Sequence, residues 1–245
     1  VSSDNGMPYP RAKANLYEFG TRVPLAIRWP DHVAKGRTLD TLVSFIDFAP
    51  TLLEAAGVAV PDTMEGISMI PLLEDEAGTV KHRDYIMTGR ERHSHSRFDN
   101  WGYPARALRT QEHLYIWNMK PDRWPAGDPE VYYDIDDCPT KQFLLKHKDN
   151  PEYSSFFDLA VAKHPAHELF AVQNDVYCLK NLAEQEGAVT ETMHAQLESL
   201  LKAQGDPRVH GNGDIFESYP RFGSFRPELG GFAVKGEYNP AYQKR

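Results

Sequence analysis

Only two cysteines, Cys138 and Cys178, occur in 245 residues, too few for a disulfide framework. One bridge between them and two unrelated buried or free thiols are both open. No apolar run approaches the ~18–20 residues needed to cross a bilayer, and no signal peptide is present. Residue 1 is Val, so the original start has been removed or lies elsewhere, and the missing leader says nothing of compartment. A basic excess is also lacking: 27 basic residues stand against 35 acidic ones, for a net charge of −8. That excludes a broad nucleic-acid-binding surface. It leaves room for a local positive pocket and an anionic substrate. Internal repeats and low-complexity segments are absent.

What is present is ordinary for a globular protein: 41% hydrophobic and 25% charged residues, with length for one large domain or two smaller ones. RVPLAIRWP (22–30) alternates Val23, Leu25, Ile27 and Trp29 and predicts a strand stopped by Pro30. In LVSFIDFAPTLLEAAGV, Ser44 and Asp47 have capping-box spacing. Phe45, Phe48, Ala49, Leu52, Leu53 and Ala56 then recur at helical spacing, with Pro50 bending the second turn and Gly57 as the stop. Residues 60–75 predict a loop with a short helical turn, and 84–93 a strand ending in a polar cluster. Residues 104–119 predict two antiparallel strands around Gln111 and Glu112. From Lys120 to His164 the expectation is ordered loop with one helical piece near 151–162. An edge strand and turn follow at 167–175. An amphipathic helix then runs from Thr190 to Ala203, with Met193, Leu197, Leu200 and Leu201 on one face and Gly205 after it.

The first residues, VSSDNGMPYPRAKANLYEFGTRVPLAIRWP, carry chemistry. Asp4 and Asn5 place two hard oxygen donors side by side, suited to Ca²⁺ or Mg²⁺. Gly6 permits a sharp turn after them. Lys13, a short loop away, can pair with an anionic oxygen near such a metal. Taken alone, D-N-G is equally a common turn signal, and a single lysine is usually solvated.

The order of strand end, D-N-G, loop lysine, Tyr-x-x-Gly-x-x-x-Pro and apolar strand resembles the segment after the central metal-binding strand of the sulfatases, in the alkaline phosphatase superfamily. VSFIDFAPTLLEAAGV resembles that family's S-x-x-D-x-x-P-T-L-L helix, and EGISMIPLL its G-x-S-x-x-P-L-L turn. The SDNGxPxP…NLY form is most similar to the heparan N-sulfatase (sulfamidase) branch. ELFAVQNDVYCLKNLA (168–183) resembles a structural segment of the family, departing at Ala171 and Val176. GDPRVHGNGDIFESYPRFG (205–223) also resembles relatives of this branch, without an assigned chemical task.

The resemblance implies an α/β fold: the second half of an alkaline-phosphatase-like sulfatase core over 1–82, a smaller carboxyl-terminal α+β subdomain with antiparallel sheet over 83–223, and a wrapping tail over 224–245. It implies Asp4 and Asn5 as two ligands of one active-site Ca²⁺, the others lying outside this chain, and Lys13 as a catalytic contact to sulfate. In the sulfamidase branch the resemblance leaves an arginine as the alternative at that place. Sulfatases use a formylglycine made in a C-x-P/A-S-R motif. This chain has none, and Cys138, in DDCPTKQ, is rejected as nucleophile. The nucleophile is thus expected in a missing amino-terminal half, the isolated chain is expected to be inactive, and the substrate to be a sulfated carbohydrate. Periplasmic, secreted or lysosomal placement is the family expectation. A phosphoesterase or phosphonate hydrolase of the same superfamily, or a non-catalytic sulfated-glycan-binding module, are the rival readings.

In GRERHSHSRFDNWGYPARALRT, Arg92 and His93 are candidate substrate contacts, since Arg and His offer directional donors to anionic oxygens. A solvated loop with ordinary ion pairs is the plainer reading. His93-x-His95 has zinc-like alternation but no third ligand nearby. Asp134, Asp136 and Asp137 resemble the start of a calcium loop yet lack its Gly and terminal Glu, so a turn with capping carboxylates is expected. Trp101, Tyr103, Trp117 and Trp124 can stack on sugar, though packing is their usual use.

Overall fold

The computed structural model describes residues 1–93, 97, 101–129 and 131–218. The expected tail over 224–245, and His95 with its zinc reading, lie outside the described residues.

Four strands form one antiparallel meander in the order β1-β2-β3-β4: β1 (Tyr85–Arg90), β2 (Ala105–Thr110), β3 (His113–Asn118) and β4 (His167–Ala171). The β2–β3 turn falls at Gln111 and Glu112, and β4 is an edge strand, both as the sequence predicts. Alternation assigns the two faces. Leu108, Tyr115 and Leu169 meet Met193, Leu197 and Leu201 of the long helix Gly187–Ala203. Ala105, Ala107, Leu114, Ile116 and Phe170 face the other way, against Leu16 and Tyr17 of the opening segment. The sheet is therefore held between a carboxyl-terminal helix and an amino-terminal loop.

Six shorter helices accompany it among the described residues: α1 (Glu18–Thr21), α2 (Phe48–Ala55), α3 (Ile70–Glu74), α4 (Pro139–Lys146), α5 (Ser154–Val161) and, beyond the long helix α6, α7 (Ile215–Ser218). The helix stops follow the glycines. Gly57 has φ 68° and Gly205 φ 72°. Behind each, a paired set of backbone bonds closes the helix: Val58 to Leu53 at 2.9 Å and Gly57 to Glu54 at 2.9 Å, then Asp206 to Leu201 at 2.9 Å and Gly205 to Lys202 at 3.1 Å. This is the Schellman arrangement, which only a residue tolerant of positive φ completes without strain.

Four expectations are corrected. Residues 22–30 do not form a strand: a strand needs a partner along its length, and here the pairing is one bridge, Ser2 with Leu25. Its apolar side chains stay open, Leu25 at 37% and Ile27 at 41% exposure. The helix around Pro50 is preceded by a 3-10 turn, Phe45–Asp47, so that α2 begins at Phe48. Pro50 consequently falls in the first turn, where an N–H has no intrahelical acceptor and proline is tolerated. The α2 stripe is also reversed relative to expectation. Asp47, Pro50 and Thr51 are buried, whereas Leu52 is 68% exposed. Finally, the stretch from 120 to 164 holds two helices, α4 as well as α5.

Asp47 explains which face of α2 turns inward. Its carboxylate is fully buried. It accepts from the N–H of Ser44 at 2.9 Å, the N–H of Ile67 at 2.8 Å and Nε of Arg83 at 2.8 Å, with His82 Nε2 at 3.1 Å. The Thr51 hydroxyl, one turn on, accepts from the N–H of Met69 at 2.8 Å. The two sequence motifs at 44–53 and 65–73 are thus fastened by buried polar atoms rather than by the apolar stripe. Burial alone would raise the Asp47 pKa. The Arg83 hydrogen bond, then the two backbone N–H groups and His82, override it and hold the carboxyl at about 2.

Both cysteines are buried and unbridged. Burial pushes the Cys178 thiol up to about 11, which makes it a poor nucleophile at neutral pH.

Candidate functional site

The opening segment is wound tightly. The N–H of Gly6 donates to Gly20 O at 3.2 Å, and the N–H of Lys13 returns to Met7 O at 3.1 Å. The intervening loop includes two non-glycine residues at positive φ, Arg11 and Ala14, both at 63°. Such conformations persist only where surrounding contacts enforce them. For Arg11 the contacts are visible: its guanidinium donates to Cys178 O at 2.6 Å and Leu159 O at 3.1 Å, and lies 3.8 Å over the Tyr17 ring. Tyr17 in turn donates to Glu168 Oε2 at 2.9 Å. The loop carrying Lys13 is therefore bolted to β4 and its flanks.

Asp4 and Asn5 sit between the Ser2–Leu25 bridge and the Gly6–Gly20 bond. Asp4 is exposed and Asn5 half-buried. Among the described residues their side chains have no hydrogen-bond or ion-pair partner, while Ser3 Oγ donates to Asn5 O at 2.8 Å. A carboxylate and an amide oxygen, both uncommitted, fit a hard divalent cation in chemistry. Two donors fall short of the six to eight oxygens Ca²⁺ takes, and no cluster of three or more His, Cys, Asp or Glu forms among the described residues.

Lys13 Nζ donates to Asp136 Oδ2 at 2.6 Å. His93 is exposed at the end of the β1 loop. Its pKa is lowered: desolvation weighs most, Asp134 and Asp136 pull upward, and Arg90 and Lys13 push down. These five residues therefore share one electrostatic neighbourhood. Arg90 and Arg97 both pair with Asp134, Arg90 at 2.8 Å. Three cations thus face two carboxylates, a small positive excess on an acidic protein. Arg92 is half-buried, its stem close to Gly102. Asp137 bonds Gln142 beside α4, a local role. Tyr103 is core, Trp117 packs edge-on against His194, and Trp101 and Trp124 lie under Arg123 and Lys163.

The segment 205–218 anchors this loop from behind. Glu91 accepts from Arg106 at 2.7 Å and Arg208 at 2.6 Å. Glu217 accepts from Arg123 at 2.7 Å and from the N–H of Gly102 at 2.9 Å. Both roots of the 91–102 stretch are held. Sequence reasoning set Arg90 with His93 at the possible substrate mouth and read Asp134 and Asp136 only as turn carboxylates; it did not foresee their pairing with Arg90 and Lys13, nor that of Tyr17 with Glu168. Each of these is paired across long sequence separation, and no local spacing signals it.

The chain belongs to the sulfatase family. Residues 11–99 match the family described as N-sulphoglucosamine sulphohydrolase, C-terminal. An ulvan-active sulfatase of Formosa agariphila is 32% identical over 83% of this chain and 32% of its own length. Human N-sulphoglucosamine sulphohydrolase is 26% identical over 83% of this chain and 39% of its own length. A solved Bacteroides thetaiotaomicron structure, reported under metabolism of multiple glycosaminoglycans, shares the fold with a TM-score of 0.51 at 19% identity, over 82% of this chain and 35% of that one. The chain thus spans about a third of the length of the relatives it matches.

Proposed function

We propose that the chain is the carboxyl-terminal part of a calcium-dependent hydrolase of sulfate esters or sulfamates on sulfated sugars. The observation that supports this best is the gathering of Lys13, Arg90 and His93 around Asp134 and Asp136, on a chain whose opening turn leaves the Asp4 and Asn5 side-chain oxygens uncommitted among the described residues. In this reading Asp4 and Asn5 give two oxygens to one Ca²⁺, whose chemistry there is polarisation of sulfate oxygens. Lys13, held in place by Asp136, offers its remaining N–H donors to an anionic oxygen as charge spreads. His93, kept neutral by its surroundings, and Arg92 orient the sugar side. The formylglycine nucleophile and the remaining metal ligands belong to the amino-terminal part, the partner that would cover the open apolar side chains of residues 1–80.

The test is sulfate release by the full-length protein from N-sulfated and O-sulfated glucosamine and from ulvan oligosaccharides. Release that is abolished by chelation and by Asp4→Ala, and lowered about 10²–10³-fold in kcat/KM by Lys13→Ala, supports the reading. Hydrolysis of phosphate esters with no sulfate release overturns it, as does tight glycan binding with no turnover.

A further inference from the structure

Between the Tyr17 segment and the sheet lies a narrow pocket bordered by Arg90, Tyr103 and His164. Each contributes a buried polar atom with no hydrogen-bond partner among the described residues: Nε of Arg90, the hydroxyl of Tyr103 and Nε2 of His164. Buried polar atoms are rarely left so, and each one unpaired is costly. Three around one pocket share a single explanation.

The donors and acceptors can be assigned. Tyr17 has one hydroxyl proton, and Glu168 Oε2 takes it at 2.9 Å. His164 Nδ1, 3.2 Å from the Tyr17 oxygen, must therefore carry a proton and donate it there. Desolvation lowers the His164 pKa foremost, with Glu168 opposing and Arg11 and Arg90 reinforcing. The ring is then neutral and its Nε2 is an acceptor. Arg90 Nε–H is a donor only, since a guanidinium nitrogen has no free lone pair, and it is Nη2 that serves Asp134 and Pro125 O, both at 2.8 Å. The Tyr103 hydroxyl can donate. Two donors and one acceptor match a ligand that accepts twice and donates once.

We propose that this pocket is a binding site for one ordered water, accepting from Arg90 Nε–H and Tyr103 O–H and donating to His164 Nε2. About 10 Å³ is open to a water's centre, near the minimum that one water requires. The three unpaired polar atoms distinguish it from wholly apolar cavities, which stay dry. The water joins the end of β1, the entry to β2 and the segment before β4, directly behind the loop that carries Lys13. This assignment does not depend on which bond the protein hydrolyses.

A crystal structure of the full-length protein at a resolution that orders solvent tests it directly. Density for one water within hydrogen-bond distance of all three atoms is expected. A pocket without density overturns the site, and so does anomalous signal there after a bromide soak, which would mark an anion. Tyr103→Phe gives an independent sign. With water bound, it removes a hydrogen bond and lowers the unfolding midpoint by about 2–4 °C. In a dry pocket it removes an unpaired hydroxyl, and the midpoint is unchanged or rises. If the variant does not fold, the wild-type density alone decides.

Discussion

Gly6 stands where the chain doubles back on itself, and a Cβ there would meet Phe19 O at 1.8 Å. No side-chain rotation relieves a clash with a backbone carbonyl, so Gly6→Ala must shift the turn that presents Asp4 and Asn5. Calorimetry with Ca²⁺ on the full-length protein should show weakened binding, and kcat/KM should fall by at least about tenfold, a loss of about 1.4 kcal/mol. Asp47 gives a second residue-level expectation. Its folded pKa is depressed from 3.8 to about 2. The stability it contributes is therefore complete above pH 3.8 and is lost as pH falls toward 2. That contribution is about 2 kcal/mol. Acid unfolding followed by circular dichroism should show Asp47→Asn already destabilised at neutral pH and less sensitive than wild type across that window. What was legible at this scale was adjacency. Asp4–Asn5–Gly6 and Lys13 announce themselves within one short stretch. Asp136, which fixes the Lys13 amine, and Glu168, which fixes Tyr17, lie more than 100 residues further on, and nothing in their own neighbours marks them as partners of this loop.

Among elements, α6 was readable because its apolar stripe, Met193, Leu197 and Leu201, is what the sheet buries. Leu197 is fully enclosed. Leu197→Ala should cost about 2–5 kcal/mol by cavity formation, measured as a fall in the denaturant midpoint at constant slope. The β2–β3 hairpin was legible for the same reason, alternation matched by two real faces. Periodicity failed where the structure buries polar atoms instead. In α2 and the 3-10 turn before it, Phe45 and Leu52 point outward, since Asp47 and Thr51 have buried partners to reach. In 22–30 the alternation is sound, but among the described residues only the short end Val1–Ser2 pairs with it. The α4 helix escaped notice because its buried residue is Lys141, whose ammonium donates to Ile135 O at 2.9 Å. No apolar stripe records that contact.

Over the whole molecule, open apolar side chains are unevenly spread. Met7, Phe19, Phe45, Ile46, Leu52 and Ile67 are all exposed in the first eighty residues, whereas the sheet and α6 enclose theirs. Produced alone, the chain should bind an apolar dye strongly. In the proposed reading, co-production with an amino-terminal sulfatase part should quench that signal, and substitution of Leu52 by Lys should reduce it without that partner. The sheet has a further consequence. β1, β2 and β3 follow one another closely, but β4 joins β3 only after the chain has run from Asn118 to His167. Closing so long a loop costs more entropy than closing a two-residue turn. The three-stranded meander should therefore assemble before β4 docks, with the Lys13 loop, which leans on β4 through Tyr17 and Glu168, among the last parts to acquire its native shape during folding.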